Sequence, residues 1–134
     1  MRSSLVGSEM CIRDRNKMKI AILGTVHQKG LEFLKENELE IVEVTNFNKQ
    51  NLQEELKFVD AILLRTSRLD QDILEHCKNL KIISRHGVGY DNVDLDYLNK
   101  NKIALCITST SNAVSVAEHV MSFFFVFNKK FISL

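Results

Sequence analysis

The sequence predicts an α/β fold in which a parallel five-stranded sheet carries helices on both of its faces. From residue 19 onward, short apolar runs alternate with amphipathic segments. The apolar runs are five to seven residues long and recur five times, which is typical of strands. Strands that alternate with helices favour a parallel sheet, because each crossover helix returns the chain to the same edge.

The strand assignments follow from the length and period of the apolar runs. The first run, Lys-Ile-Ala-Ile-Leu at 19–23, is almost continuously apolar and indicates a strand buried on both faces. The second run alternates at period two, which indicates a less buried strand. The five predicted strands are 19–23, 39–45, 60–64, 80–84 and 103–107.

Helices are predicted between the strands from apolar residues at helical spacing. Leu52, Leu56 and Val59 recur at i, i+4 and i+7, and Asp94 stands where an N-cap belongs. The predicted helices are 28–36, the segment around Leu52–Val59, 70–77, 94–100 and a long helix after Ser111. The resulting order of elements is flavodoxin-like.

The last helix differs from the others because Val120–Phe127 is apolar around its whole circumference. The stretch 112–127 is too short, and too polar at its start, for a membrane span. We therefore predict a helix buried between two domains. Ser115 and Glu118 have the spacing of a capping box within it.

Composition excludes several classes of protein. The chain has 134 residues, 18 basic and 17 acidic side chains, and a net charge of +1, so neither nucleic acid nor an anionic membrane is an expected partner. The cysteines and histidines show no metal-ligand spacing, and we expect no metal site. Cys77 and Cys106 lie in apolar patterns and are predicted to be buried. Together with the distant Cys11 they indicate a reducing, cytoplasmic location.

Three segments divide the chain. Residues 1–17 show neither helical nor strand period and no apolar core of a signal peptide, so we interpret them as a non-native or disordered leader. Residues 18–111 form the predicted main domain. We expect residues 112–134 to hold the long helix and the truncated start of a second domain.

Polar segments follow the third, fourth and fifth strands, at 65–68, 86–92 and 108–112. Ligands of parallel sheets gather at the carboxyl ends of the strands. We therefore expect these three polar segments to line one crevice.

The most informative segment is His86–Asn92, which places Gly87 and Gly89 directly after a strand. Bare backbone N–H groups there could hold a carboxylate or a phosphate. A dinucleotide motif would need a third glycine where Asn92 stands, and the chain has no other Gly-x-Gly. The alternative is a glycine turn required only by the path from sheet to helix.

Two strings resemble the D-isomer-specific 2-hydroxyacid dehydrogenases: Leu80-Lys-Ile-Ile-Ser-Arg-His-Gly-Val-Gly-Tyr-Asp-Asn-Val-Asp-Leu-Asp96 and Ser111-Asn-Ala-Val-Ser-Val-Ala-Glu-His119. The resemblance covers about residues 19–127. It implies an NAD-dependent oxidoreductase that acts on the CH–OH group of D-2-hydroxy acids, similar to phosphoglycerate dehydrogenase. It also implies a homodimeric parent with a Rossmann domain, which the long helix would join to the present one.

The resemblance assigns site residues by matching positions. Gly87, Val88 and Gly89 match the loop whose amides bind the substrate carboxylate, and Val88 and Val116 match apolar positions beside the nicotinamide. Arg65-Thr66 and Asn112 match polar groups of the substrate pocket. Asn112 could instead cap a helix, and Arg68 competes with Arg65 for the same role.

Other polar residues near these strings have simpler interpretations. His86 is close to the glycines, but the family's catalytic histidine comes from a later segment. His119 is expected to pack between domains, and Asp91 and Asn92 to fix a turn. The family's glycines and prolines around the fifth strand are replaced here, among others by Lys102.

The resemblance also implies what this chain does not contain. The dinucleotide motif and the family's catalytic arginine, glutamate and histidine would lie beyond Leu134, so we expect no catalytic residue here and an inactive isolated chain. The alternative is a free-standing flavodoxin-like binding or interaction module, with Phe123–Phe127 recruiting a partner. A phospho-receiver is disfavoured, because Gly24-Thr25 and Arg65-Thr66 stand where acidic residues belong.

Overall fold

The computed structural model describes residues 17–128. Its five strands are β1 (Lys19–Leu23), β2 (Glu40–Val44), β3 (Ala61–Leu64), β4 (Ile82–Arg85) and β5 (Ala104–Ile107). Its helices in the same part of the chain are α1 (Gln28–Glu36), α2 (Lys49–Glu55), α3 (Gln71–Leu74), α4 (Leu95–Asn101) and α5 (Ala113–Asn128). The predicted leader, apart from its last residue, lies outside the described residues, as do Cys11 and residues 129–134.

The five strands form one parallel sheet in the order β2-β1-β3-β4-β5, which confirms the predicted fold class. The chain leaves β1 toward β2 on one side, and later leaves β3 toward β4 on the other. The two connections therefore diverge between β1 and β3. This divergence opens a crevice at the carboxyl ends of these two strands.

The main core lies on one face of the sheet. Alternate strand residues such as Leu23, Leu64 and Ile83 are fully buried there, under Leu74 of α3 and Leu98 of α4. Since right-handed crossovers place α1 on the opposite side of the sheet from α2, α3 and α4, both faces carry helices. Burial of these apolar side chains is the main stabilising contribution to the domain.

The opposite face is covered less completely. Leu105 of β5 packs against the core, so its neighbours Ala104 and Cys106 point to the other face, where both are exposed. The prediction that Cys106 is buried was therefore wrong, because its strand lies at the sheet edge and α1 covers the far end. Cys77 is buried as predicted, and burial raises the pKa of its thiol to about 11.

The amino ends of three strands meet at Asp60. Its carboxylate accepts hydrogen bonds from the backbone amide of Lys19, at 3.1 Å, and from the ammonium group of Lys81, at 2.8 Å. Its own amide donates to the carbonyl of Lys19 at 2.9 Å. The Lys81 hydrogen bond, followed by that from the Lys19 amide, holds the pKa of Asp60 below its usual value.

Two predicted helix starts had different outcomes. Asp94 is the N-cap of α4, and its side chain accepts a hydrogen bond from the amide of Tyr97 at 2.9 Å, as predicted. The capping box at Ser115 was wrong, because α5 begins at Ala113 and Ser115 lies within its first turn. Asn112 precedes this helix, and its carbonyl accepts the amide of Val116 at 2.9 Å.

Helix α5 extends from the sheet with its apolar side chains exposed. No residue of α5 is buried, and the exposed fraction reaches 74% at Phe127 and 71% at Val114. His119 stacks edge-on against Phe123 within the helix itself. In the described part of the chain, no helix has both the length and the apolar character needed to cross a membrane.

Candidate functional site

The structure brings the three predicted polar segments to one edge of the sheet. The amide of Thr108, after β5, donates to the carbonyl of Gly87 at 3.2 Å. The side-chain amide of Asn92 donates to the carbonyl of Ser67 at 2.7 Å. Asn92 therefore fixes the loop after β4 to the loop after β3.

The glycine loop after β4 presents free backbone donors at this edge. The Gly87 amide donates to the Arg85 carbonyl at 2.9 Å and is therefore engaged within the loop. Within residues 17–128, the amides of Val88 and Gly89 donate no hydrogen bond. Both residues are exposed, so two adjacent N–H groups are available to an acceptor from outside the chain.

The two glycines of this loop meet different surroundings. Gly87 has φ of +156°, and a Cβ there would lie 1.8 Å from Nη1 of Arg85. A Cβ at Gly89 would meet only a carboxylate oxygen of Asp91, at the ordinary contact distance of 3.5 Å. Among the described neighbours nothing crowds Gly89, but a ligand held close to its backbone would be crowded by a side chain there.

Arg85, the last residue of β4, packs against this loop, although the sequence did not single it out. Its Nη1 donates to the carbonyl of His86 at 2.6 Å, and its Nε is buried without a hydrogen-bond partner among the described residues. The guanidinium therefore folds over Gly87 instead of extending into solvent. His86 itself is exposed.

Arg65 and Thr25 face each other across the crevice between β1 and β3. Arg65 follows β3, and its amide donates to the carbonyl of Leu23 at 3.0 Å. Its Nη1 donates to the hydroxyl oxygen of Thr25, which follows β1. Sequence reasoning missed Thr25 as a site residue, because the contact depends on β1 and β3 being neighbours in the sheet.

The structure separates the two competing arginines. Arg68 lines a cleft of about 160 Å³ together with three carboxylates, those of Asp70, Asp91 and Asp94. Such surroundings attract cations and repel the anionic group of a substrate. Both arginines are exposed and neither forms an ion pair within residues 17–128, but Arg65 does not line this acidic cleft, so its charge is the one better placed for an anionic group.

The remaining predicted site residues also lie on the exposed surface. Thr66 follows Arg65 and is exposed, as is Asn112 at the start of α5. The exposed fraction is 39% for Val88 and 53% for Val116. Both valines therefore offer apolar surface, as a contact with a nicotinamide ring would require.

A second cavity, of about 460 Å³, lies at the carboxyl ends of β1 and β2. Its lining is mainly apolar and includes Val26, Leu31 and Phe47, with Thr25 and Glu43 among its polar groups. It adjoins the crevice through Thr25. This cavity was not predicted from the sequence.

The described residues do not fit the pyrophosphate of a dinucleotide. The helix that follows the glycine loop is α4, which has Asp94 as its N-cap and carries Asp96 in its first turn. Asp94 already accepts an amide of that turn, and both carboxylates repel phosphate. In this part of the chain there is also no group of three or more side chains suited to a metal ion.

The chain belongs to the D-isomer specific 2-hydroxyacid dehydrogenases. The family model described as the catalytic domain of these enzymes matches residues 20–130. This match confirms the resemblance that the sequence indicated, and it includes the glycine loop, Arg65 and all of α5.

Individual relatives agree with this assignment. D-3-phosphoglycerate dehydrogenase of Archaeoglobus fulgidus is 29% identical over 106 residues, and that of Methanocaldococcus jannaschii is 30% identical over 106 residues. Each alignment covers 78% of this chain but only 20% of the relative. The chain thus spans about a fifth of the length of these two curated relatives.

A solved structure shows the same fold. The NAD⁺-bound 3-phosphoglycerate dehydrogenase of Entamoeba histolytica superposes with a TM-score of 0.69 and 27% identity. The superposition covers 89% of this chain and 42% of that protein. The cofactor in that structure supports NAD as the cofactor of the family.

Proposed function

We propose that this chain supplies the substrate-binding side of an NAD-dependent D-2-hydroxyacid dehydrogenase similar to phosphoglycerate dehydrogenase. The free amides of Val88 and Gly89, at the carboxyl edge of a sheet from this family, are the observation that supports the proposal. Two adjacent N–H donors can hold the carboxylate of a 2-hydroxy or 2-oxo acid. The cationic Arg65, which follows the neighbouring strand, adds attraction for anionic substrates.

In the proposed reaction, this chain binds and orients the acid. The two amides fix the carboxylate, and Arg65, Thr66 and Asn112 border the rest of the molecule. NAD, when bound, would accept or supply the hydride, with Val88 and Val116 as apolar contacts for its ring. We assign the groups that bind the pyrophosphate and move the proton to other parts of the parent enzyme.

The proposal extends to domains and partners. Residues 18–111 would be the substrate domain, and 112–134 would contain the interdomain helix and the beginning of the NAD-binding domain. The exposed apolar surface of α5 supports this division, because a second domain would cover it. We propose a homodimeric parent in the cytoplasm, where buried thiols such as Cys77 stay reduced.

The test is an NMR titration of the ¹⁵N-labelled 134-residue chain with pyruvate. We expect the amide signals of Val88 and Gly89 to shift in a saturable way, with pyruvamide as the control that lacks the carboxylate. Equal shifts with pyruvamide, or none at either amide, would show that the loop does not bind carboxylates.

The substitution Gly89→Ala sharpens this test. The space around Gly89 accepts a methyl group, so the variant should fold, with a free energy of unfolding within about 0.5 kcal/mol of the wild-type value. Because the methyl group would crowd a ligand near the backbone, we expect pyruvate to bind at least about fivefold more weakly. Unchanged affinity would contradict close approach of the ligand to this residue.

A further inference from the structure

We propose that Thr25 is a positioning residue, which holds the guanidinium of Arg65 at the crevice and adds a second donor for an anionic group of the substrate. This inference rests on the proposed function. It assigns a role to Thr25, which follows β1 and lies outside the three polar segments predicted from the sequence.

The path of the Arg65 side chain is determined by Gly24. Leu23 pairs with Leu64 in the sheet, so the next residues, Gly24 and Arg65, also lie side by side. A Cβ at Gly24 would lie 2.8 Å from Cβ of Arg65 and 3.5 Å from its Cδ. Gly24 has φ of +119°, a conformation that L side chains rarely adopt. The missing side chain therefore lets the arginine stem pass over the β1 terminus and reach Thr25.

The choice of partner preserves the charge of Arg65. A carboxylate in place of Thr25 would neutralise the guanidinium and compete with an anionic ligand. The neutral hydroxyl oxygen of Thr25 accepts from Nη1 and leaves the positive charge in place. Since a guanidinium has five N–H donors, most of them remain for a ligand.

The hydroxyl of Thr25 has a further use. While its oxygen accepts from Arg65, its own O–H must point elsewhere. It can donate to the same anionic group that Arg65 binds. Thr25 also lines the 460 Å³ cavity, so a ligand that reaches Arg65 would lie at the mouth of this cavity.

The position of the pair relative to the glycine loop defines what it can bind. The guanidinium of Arg65 lies over the end of β1, whereas Val88 and Gly89 follow β4, so the two groups of donors are about two strand spacings, roughly 10 Å, apart. An acid held by its carboxylate at the loop therefore needs its second anionic group at the other end of the molecule to reach Arg65. D-malate has such a group, and D-lactate does not.

The experiment compares the binding of D-malate and D-lactate to variants of the 134-residue chain by NMR titration. Thr25→Val keeps the shape of the side chain but removes the hydroxyl. We expect it to weaken the binding of D-malate about fivefold to tenfold and the binding of D-lactate less than twofold. Thr25→Ser, which keeps the hydroxyl, should bind D-malate with nearly the affinity of the wild type. In the Arg65→Gln background, Thr25→Val should cause a smaller loss, because only the donation by the hydroxyl itself remains and the positioning of Arg65 no longer contributes.

Two results of the titrations would overturn the positioning role. One is D-malate binding by Thr25→Val at the affinity of the wild type. The other is an equal loss in the Arg65→Gln background, which would show that Thr25 acts independently of Arg65. In both cases the proposed function would still hold if D-lactate shifted the amide signals of Val88 and Gly89, because those signals report the carboxylate site alone.

The guanidinium signals of Arg65 provide a readout without ligand. Hindered rotation should give separate Nη signals in the wild type and Thr25→Ser, and averaged signals in Thr25→Val. If neither acid binds, the proposed function fails, and these signals alone decide the positioning role. Averaged signals in the wild type would overturn it.

Discussion

Lys102 adopts a left-handed backbone conformation, with φ of 57°, where α4 ends and the chain turns into β5. This conformation costs a residue with a Cβ about 1–2 kcal/mol, whereas glycine adopts it readily. We predict that Lys102→Gly raises the free energy of unfolding by about 1 kcal/mol, measured by urea denaturation.

The matched control for this prediction is Lys100→Gly. Lys100 lies in the last turn of α4 and is also exposed, so the control removes the same charge. It places glycine in a right-handed helical position and should lower the free energy of unfolding by about 0.5–1 kcal/mol. Destabilisation by both substitutions would contradict the strain assigned to Lys102.

The site residues differ in how far the sequence could predict them. Gly87 and Gly89 could be predicted from the sequence, because two glycines directly after an apolar run indicate a tight turn with a bare backbone. Thr25 and Arg85 were not, because their roles depend on strand order and on the path of a long side chain. The exposure of Cys106 was missed for a related reason, since an apolar pattern does not tell which face of a strand is covered.

At the scale of elements, Asp60 connects the amino ends of β1, β3 and β4. Its pKa is lowered in the folded protein, so the stability that it contributes is present at neutral pH, above its unfolded pKa. This contribution is lost as the pH falls through the folded pKa. We predict that Asp60→Asn costs about 1–2 kcal/mol of unfolding free energy at pH 7.

The pH dependence distinguishes this ion pair from simple loss of packing. Urea denaturation of Asp60→Asn and wild type at several pH values should show the difference shrinking below about pH 4, once the wild-type carboxyl protonates. Asp96→Asn, at an exposed position of α4, is the control and should stay within about 0.5 kcal/mol. A difference that is constant with pH would contradict the role assigned to the charge of Asp60.

Element bounds were most predictable where the apolar pattern was uninterrupted. β1 and α1 have the bounds that the sequence predicted, 19–23 and 28–36. β2 is shorter than the predicted 39–45, because Leu39 and Thr45 flank the paired residues. The start of α5 was less predictable, since Ser115 resembles an N-cap in sequence while the turn before Ala113 already begins the helix.

At the scale of the whole molecule, the sheet and α5 differ in how they are stabilised. The core joins β1–β5 to α2, α3 and α4, whereas no side chain of α5 is buried. A helix of this kind adds apolar surface to the solvent without adding to the core. The sequence predicted its all-round apolar character, and the proposed second domain would account for it.

We therefore predict that a chain ending at Ser111 folds as stably as the full chain. Removal of α5 deletes no buried side chain, so the free energy of unfolding from urea denaturation should change by less than about 1 kcal/mol. The loss of exposed phenylalanines should also reduce self-association, measured by sedimentation velocity.

A chain ending at Asn101 is the control. It loses β5 with Ile103 and Leu105, which pack against the core, and its free energy of unfolding should fall by at least about 3 kcal/mol. Unfolding of the chain that ends at Ser111 would mean that the sheet depends on α5, and the proposed boundary between 111 and 112 would then be wrong.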